Sequence, residues 1–304
     1  MTSEPEWGWL IVLYLFLAGL GAGAFVFAAA AALRDPAAYR RLGAWGAYLA
    51  PWPVAVGTGF LLLDLGRPFA AFWLFSRWRL ASPMSWGVWL LTLFILLALA
   101  HGYLWLPERL RPRSPARPLR LRRRLAQVGI PLGLGVAVYT ALLLGAAMRP
   151  LWQSPLLAPV FLVSAVSTGV ASLMTLGSLG PAARAGGWNQ AEKHLLLRWD
   201  AALIATEIFL VALLVLYGLM GPAPVEASVA AWLAGPLAPL FWVGLVLAGL
   251  AAPLALEWGE LRGIRLPRAA ARWLPALSGT LVLVGGLVLR YLVVYGGQRV
   301  GWWG

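Results

Sequence analysis

Apolar residues in this chain neither alternate nor mark one helical face; they run on without interruption for the width of a bilayer. Eight such stretches lie near 8–33, 43–63, 84–106, 127–148, 158–178, 199–219, 232–256 and 272–295. A helix that crosses a membrane needs about 20 mostly apolar residues. The pattern therefore predicts an all-α integral membrane protein with eight transmembrane helices. Most connections are short, which leaves no room between the spans for a soluble catalytic domain. The longest hydrophilic connection runs from Pro107 to Arg124. The connection from Met148 to Pro159 separates two sets of four helices. Each set suits a four-helix bundle, so the expected domains are a first bundle over 1–150 and a second over 151–304.

Charge sets the orientation. The net charge of +13 points to nucleic acid only until its distribution is considered. Basic residues gather in alternate connections: Arg34, Arg40 and Arg41; eight arginines from Arg109 to Arg124; Arg184, Lys193 and Arg198; then Arg262, Arg265, Arg268 and Arg272. Lys and Arg accumulate on the cytoplasmic side. Both termini should then face outward, as should the 2–3, 4–5 and 6–7 connections. The acidic Glu4 and Glu6 ahead of Trp7 agree with this. No basic n-region or cleavage site precedes the first helix, so it is expected to be retained. The arginines from 109 to 124 read as a topology determinant against anionic headgroups.

Composition narrows the chemistry. Charged residues make up 12% of the chain and hydrophobic ones 61%, against about a quarter charged in a soluble domain. With no cysteine, this chain holds no disulfide, thiolate-bound iron–sulfur cluster or Cys-ligated zinc. Its two histidines, His101 and His194, are poorly placed to share a haem, since one lies in a span and the other in a charged loop. Neither haem nor another metal site is expected.

Ionisable groups inside spans are costly and mark function. They are Asp64, His101, Asp200, Glu207, Glu257 and Arg290, with the hydroxyls of Tyr14 and Tyr139 at depth. Under the expected topology Tyr14 lies about 10 Å and Tyr139 about 14 Å below the outer surface, at 1.5 Å per residue. Asp64 closes the second helix, and Ser85 and Trp86 open the third. All four helices of the first set thus offer a polar or aromatic group to one outer region. Asp64 opposes its helix dipole and needs compensation, for which Arg67 is nearest. The pair reads either as a structural bridge or as a proton acceptor at the mouth of a pocket. Asp200 and Glu207, seven residues apart, share a helix face. Glu207, about 12 Å from the inner end, could relay protons, bind a cation, or hydrogen-bond to Ser164, Ser167 or Thr168. His101, near the inner end of the third helix, reads first as a satisfied interfacial histidine and second as a further proton-path candidate. Gly19, Gly21, Gly23, Gly57 and Gly59 permit close helix approach or leave space for a flat ligand. Trp7, Trp9, Trp73, Trp86, Trp302 and Trp303 suit interfacial anchors.

The strings LYLFLAGLGAGAF (13–25), LLLDLGRP (61–68), SPMSWGVWLL (82–91) and FLVSAVSTG (161–169), with Tyr139 and the segment Arg149 to Trp152, resemble the NrfD/PsrC family of membrane subunits. The resemblance covers the first five helices and, more weakly, the sixth. It implies a quinone-reactive anchor in a bacterial or archaeal cytoplasmic membrane, with menaquinone or ubiquinone as bound substrate and no prosthetic group of its own. The implied partners are a four-cluster iron–sulfur subunit on the outer face and a molybdopterin or multihaem catalytic subunit behind it. The implied quinone-site residues are Tyr14, Tyr139, Asp64 and Trp86, with Arg67 and Ser85 at the outer face. Where polysulfide reductases can have His, this chain has Tyr14, and Thr140–Ala141 replace the usual Pro–Gly after Tyr139, so polysulfide is not assigned.

Two functions compete. One is electron exchange between membrane quinone and a docked iron–sulfur subunit, with or without proton translocation through Glu207, Asp200 and His101. The other is a proton- or cation-coupled secondary transporter. Transporters commonly show inverted repeats and broken helices; Pro253 and Gly57 offer a little of the latter, but no repeat relates the halves.

Overall fold

The computed structural model describes residues 7–64, 82–107, 110, 118–263 and 268–298, and all regular structure among them is helical. The elements are α1 (Trp9–Arg34), α2 (Arg40–Leu49), α3 (Pro51–Asp64), α4 (Pro83–Trp105), α5 (Pro118–Gly145), α6 (Leu157–Ser178), the short α7 (Pro181–Arg184), α8 (Gln190–Leu219), α9 (Ala223–Leu233), a π-helix (Leu240–Ala251), α10 (Ala252–Leu261) and α11 (Arg268–Gln298). Eight spans are long and apolar enough to cross a membrane. The second is α2 followed by α3; the seventh is the π-helix followed by α10. The chain is a multi-pass membrane protein.

Helix ends follow local chemistry. Span six starts at Gln190, nine residues before hydropathy alone places it, because Asn189 and Glu192 form a capping box. Asn189 Oδ1 accepts from the Glu192 N–H at 2.8 Å, and Glu192 Oε2 accepts from the Asn189 N–H at 3.0 Å. Span seven starts later than expected. Trp232 belongs to α9, which ends at Leu233; Gly235, Pro236 and Pro239 then break the chain before Leu240. The apolar run from 232 thus hides a turn. Pro253 has no N–H to give to the preceding helical turn, and the backbone before it runs in π register. That wider i→i+5 winding brings Phe241, Leu245 and Leu250 onto the buried side.

Span one is central. It packs against spans two, four, five and eight, and span five packs against spans one, four, six and eight. The one–five crossing is built from residues without bulk. Gly19 and Gly23 meet Ala165 and Gly169, each pair four residues apart. A Cβ on Gly23 would fall on the Ala165 carbonyl, and one on Gly169 on the backbone of Gly23 and Ala24. Small-xxx-small pairs of this kind let membrane helices approach to backbone contact. Gly249 and Gly285 make a second such contact between spans seven and eight. One apolar core runs through all eight spans.

Hydrogen bonds sort the helix ends onto two faces. At one face Trp7 exchanges two bonds with Gln298, at 2.8 and 2.9 Å, and packs at a tilt against Trp152 in the 4–5 connection. Trp152 donates to the Val293 carbonyl, and Trp232 of α9 to the Leu292 carbonyl. Both indoles fit because Gly297 and Gly296 have no side chain in their place. Two tryptophans are therefore buried donors holding the end of span eight, a role that interfacial anchoring does not describe. At the other face the Glu192 carboxylate is fully buried and reaches across the molecule: its Oε1 accepts from the Leu42 N–H at 2.8 Å. Arg41 donates to the Gly187 carbonyl and Asn189 to the Ala38 carbonyl, so the 1–2 and 5–6 connections are stitched together. The Tyr48 hydroxyl donates to the Trp105 carbonyl beside the 3–4 connection. This second face carries Arg34, Arg40, Arg41, Arg184, Lys193, Arg198 and Arg262.

Removing the Glu192 carboxylate strands two backbone N–H groups, one of them fully buried. Bonds to a charged acceptor contribute about 1.5–3 kcal/mol each. Glu192→Ala should lower stability by roughly 3–6 kcal/mol, measured as an earlier thermal transition in detergent; an unchanged transition would show that the clamp is dispensable.

Candidate functional site

Two polar regions lie within the helical body. The first is built on spans one to four. Tyr14 sits in α1, fully buried, and its hydroxyl has no hydrogen-bond partner among the described residues. Gly57 in α3 lies against the Tyr14 carbonyl, which lets span two close over this turn. Tyr139 in α5 is buried and within electrostatic reach of Tyr14. Its hydroxyl rests on Gly87 of α4; a Cβ there would coincide with the phenol oxygen. Ser85, two residues before this glycine, is buried, whereas Trp86 turns outward and is 49% exposed. Asp64 is the last residue of α3 and half-buried. Arg67, its expected partner, lies outside the described residues. The structure thus brings Tyr14, Tyr139 and the start of α4 together and leaves Asp64 at the rim.

The second region lies between spans five, six, seven and eight. Asp200 and Glu207 both face inward from α8 and are buried. Asp200 faces Glu257 of α10 and Ser167 of α6, but neither of its oxygens reaches hydrogen-bond geometry. Glu257, itself buried, accepts from the Ser278 hydroxyl at 2.6 Å. Glu207 stands beside Ser164, one of its three expected neighbours, and beside Arg290 of α11. Arg290 is tightly held. It is 1% exposed, donates to the Ser164 hydroxyl and the Gly286 carbonyl, and lies over the Phe161 ring at 5.1 Å. A Cβ on Gly19 would come within 3.4 Å of its Nη2, so the guanidinium borders span one. The missing side chain of Gly19 thus serves the one–five crossing and the arginine together.

Along α8 the order from the Arg-rich face is Lys193, Asp200, Glu207. On the facing spans it is Glu260, Glu257 with Ser278, then Arg290 with Ser164. Lys193 and Glu260 line a cavity of about 390 Å³ that opens at the Arg-rich face near Trp188 and Pro275. Glu257 and Arg290 complete this series; an intramembrane position marked each of them in the sequence, but nothing in their spacing showed that they meet Asp200 and Glu207. His101 stands apart from the series. Its ring neighbours are Phe25 and Trp105, and its Nε2 accepts from the Trp105 indole at 3.0 Å.

These two regions can do different things. A buried phenol without a partner, within electrostatic reach of a second phenol, can donate to a carbonyl or hydroxyl oxygen. A file of carboxylates and hydroxyls on facing helices can pass protons. Neither region gathers metal ligands: among the described residues no three His, Cys, Asp or Glu side chains converge on a metal position.

The family model described as "Polysulphide reductase, NrfD" matches residues 1–301. The chain belongs to this NrfD family. It is similar to the C chain of polysulfide reductase from Wolinella succinogenes, 31% identical over 264 residues that cover 83% of this chain and 81% of that protein. Protein NrfD of Escherichia coli is 28% identical over 82% of this chain and 80% of its own length. The C subunit of selenate reductase from Mesobacillus selenatarsenatis is 26% identical over 97% of this chain and 74% of its own length. Family membership therefore extends past the sixth helix, where the motif resemblance stops, and takes in the spans that carry Glu257 and Arg290.

The Gly87 seat makes a packing prediction. Gly87→Ala should cost about 1–3 kcal/mol through overpacking against the phenol. In a Tyr139→Ala background the same change should cost almost nothing, because the colliding atoms are gone. A double-mutant cycle on thermal stability checks this; additive costs would mean that the two residues do not press on each other.

Proposed function

We propose that this NrfD-family chain is the membrane subunit of a respiratory oxidoreductase complex, exchanging electrons between membrane quinone or quinol and an iron–sulfur subunit docked on the face that carries the termini. The observation that carries the reading is the Tyr14 hydroxyl, fully buried, unpartnered among the described residues and within electrostatic reach of Tyr139. A buried polar group without a partner is uncommon in a finished fold and calls for an explanation. A quinone oxygen supplies it. Two relatives are named as the C chain of a polysulfide reductase and the C subunit of a selenate reductase, in keeping with a subunit role.

In this reading Tyr14 and Tyr139 donate to the two-electron carrier and hold it in register. Trp86 and Ser85 mark the side of α4 along which the ring arrives. Oxidation of a quinol releases two electrons and two protons; reduction of a quinone takes up the same. Asp64 at the rim exchanges those protons with water, with Arg67 three residues on in the sequence. The electrons pass to the docked partner. The positive-inside rule puts the Arg-rich face in the cytoplasm and the Tyr14 region in the outer half of the bilayer. The menaquinone-or-ubiquinone choice rests with the membrane in which the chain works.

A second element of the proposal is proton movement along Asp200, Glu257 and Glu207. The three buried carboxylates on facing spans favour it, and His101 is not needed for it. The same file would serve a proton-coupled transporter, the competing reading; a docked redox partner separates the two.

Purification of the complex from its native membrane, followed by quinol-dependent reduction of the partner, tests the first element. Tyr14→Phe and Tyr139→Phe should each slow turnover by about 10²-fold, within the range of a lost acid–base donor, and Asp64→Asn should slow it in the same direction. Full activity in all three would remove the site assignment. For the second element, Glu207→Gln in proteoliposomes should abolish any membrane potential generated while quinone turnover continues. A potential that survives would rule Glu207 out of the path.

A further inference from the structure

At the Arg-rich face, where spans one, three and four end, the helices enclose a cavity of about 450 Å³. Four arginines converge on it: Arg40 from the start of α2, and Arg120, Arg122 and Arg123 from the first turns of α5. Its remaining wall is apolar, with Leu33 from the end of α1 and Leu119 from the start of α5. Leu119 is 68% exposed. No carboxylate is among the described residues that line it.

The floor of the cavity is fixed by a short relay. Arg122 lies over the Trp105 ring at 4.1 Å, which pins the indole. The indole N–H donates to His101 Nε2 at 3.0 Å. With Nε2 accepting, the ring proton sits on Nδ1, and His101 Nδ1 has no partner among the described residues. His101 is 2% exposed and belongs to the cavity lining. A buried donor without an acceptor, beneath a convergence of arginines, is a place built for an anion. The half-buried Leu33 and the exposed Leu119 beside them are a place for acyl chain.

We propose that this cavity binds an anionic phospholipid, its phosphate held by Arg40, Arg120 and Arg123 and its chains lying along Leu33 and Leu119. Basic pockets between helix ends on the cytoplasmic side suit such headgroups. Charge complementarity selects the headgroup, and the apolar wall at the membrane boundary selects a lipid over a dissolved anion. The arginines here thus do more than fix topology: they converge on one volume, whereas a topology signal needs only that they lie on one side.

The test is native mass spectrometry of the full-length protein, delipidated in detergent and then titrated with cardiolipin, phosphatidylglycerol or phosphatidylcholine. Retention of one cardiolipin or phosphatidylglycerol molecule per protein is expected, with phosphatidylcholine held at least tenfold more weakly. The triple variant Arg40→Gln/Arg120→Gln/Arg123→Gln should lose that retention, and Arg120→Gln alone, at an exposed position, should weaken it without a change in melting temperature. Arg184→Gln, on the same face but outside the cavity, should leave it intact. Equal retention of phosphatidylcholine, retention by the triple variant, or an equal loss in Arg184→Gln would each overturn the proposal. Displacement of the lipid by millimolar inorganic phosphate would overturn it in favour of a free-anion site.

Discussion

Two helices touch backbone to backbone at the centre of this protein, and the rest of the arrangement hangs on that contact. In lipid, apolar side chains have no reason to prefer one another over acyl chains, so helices associate through close packing and polar bonds. Gly19, Gly23, Ala165 and Gly169 supply such packing, with backbone set directly against backbone. Span one then has a neighbour on several sides. Tyr14 is carried by one part of its surface, and Gly19, on another part, borders the guanidinium of Arg290. The phenol region and the carboxylate file are therefore attached to the same helix. Any change in the tilt of span one would be felt at both, so the shared helix is a physical link between the two regions.

The polar atoms are accounted for in a manner typical of a low-dielectric interior. Most hydroxyls within the spans return a bond to a carbonyl three or four residues back, as Thr140, Thr168, Ser172 and Thr280 do. Trp152, Trp188 and Trp232 direct their indole N–H groups to carbonyls elsewhere in the chain. Against that background some exceptions stand out, among them the Tyr14 hydroxyl, both oxygens of Asp200, and Nδ1 of His101. An orphan in a membrane costs more than one at a surface. Each of these three residues lies in a region assigned here to a ligand or to protons.

Much of this was legible in the sequence, for a physical reason. Span length and hydropathy are properties of a segment alone, so the eight crossings needed no tertiary knowledge, and the alternating arginines sorted the connections. Tyr14, Tyr139, Asp200 and Glu207 were visible because polar groups at depth are rare. Other features depend on what a residue meets. Glu192 looks like an ordinary loop carboxylate, and the Asn-x-x-Glu spacing announces its capping box, but nothing local announces its bond to Leu42, 150 residues away. Trp232 sits in an apolar run that continues into span seven, and only the Gly235–Pro236 turn separates them. Arg290 was marked by its depth, but its partners Ser164 and Glu207 come from two other spans.

The central crossing also sets a timetable. Gly23 and Gly169 are 146 positions apart in the chain. At ~5–20 residues per second, the ribosome needs roughly 7–30 seconds to produce the second after the first. For that interval span one lies in the membrane with its glycine face uncovered, while spans two, three and four arrive and take their places around it. Span five must then slide into a groove already formed. The order of synthesis thus builds the half that carries Tyr14 and Tyr139 first and seals it last, with the helix that also opens the second half.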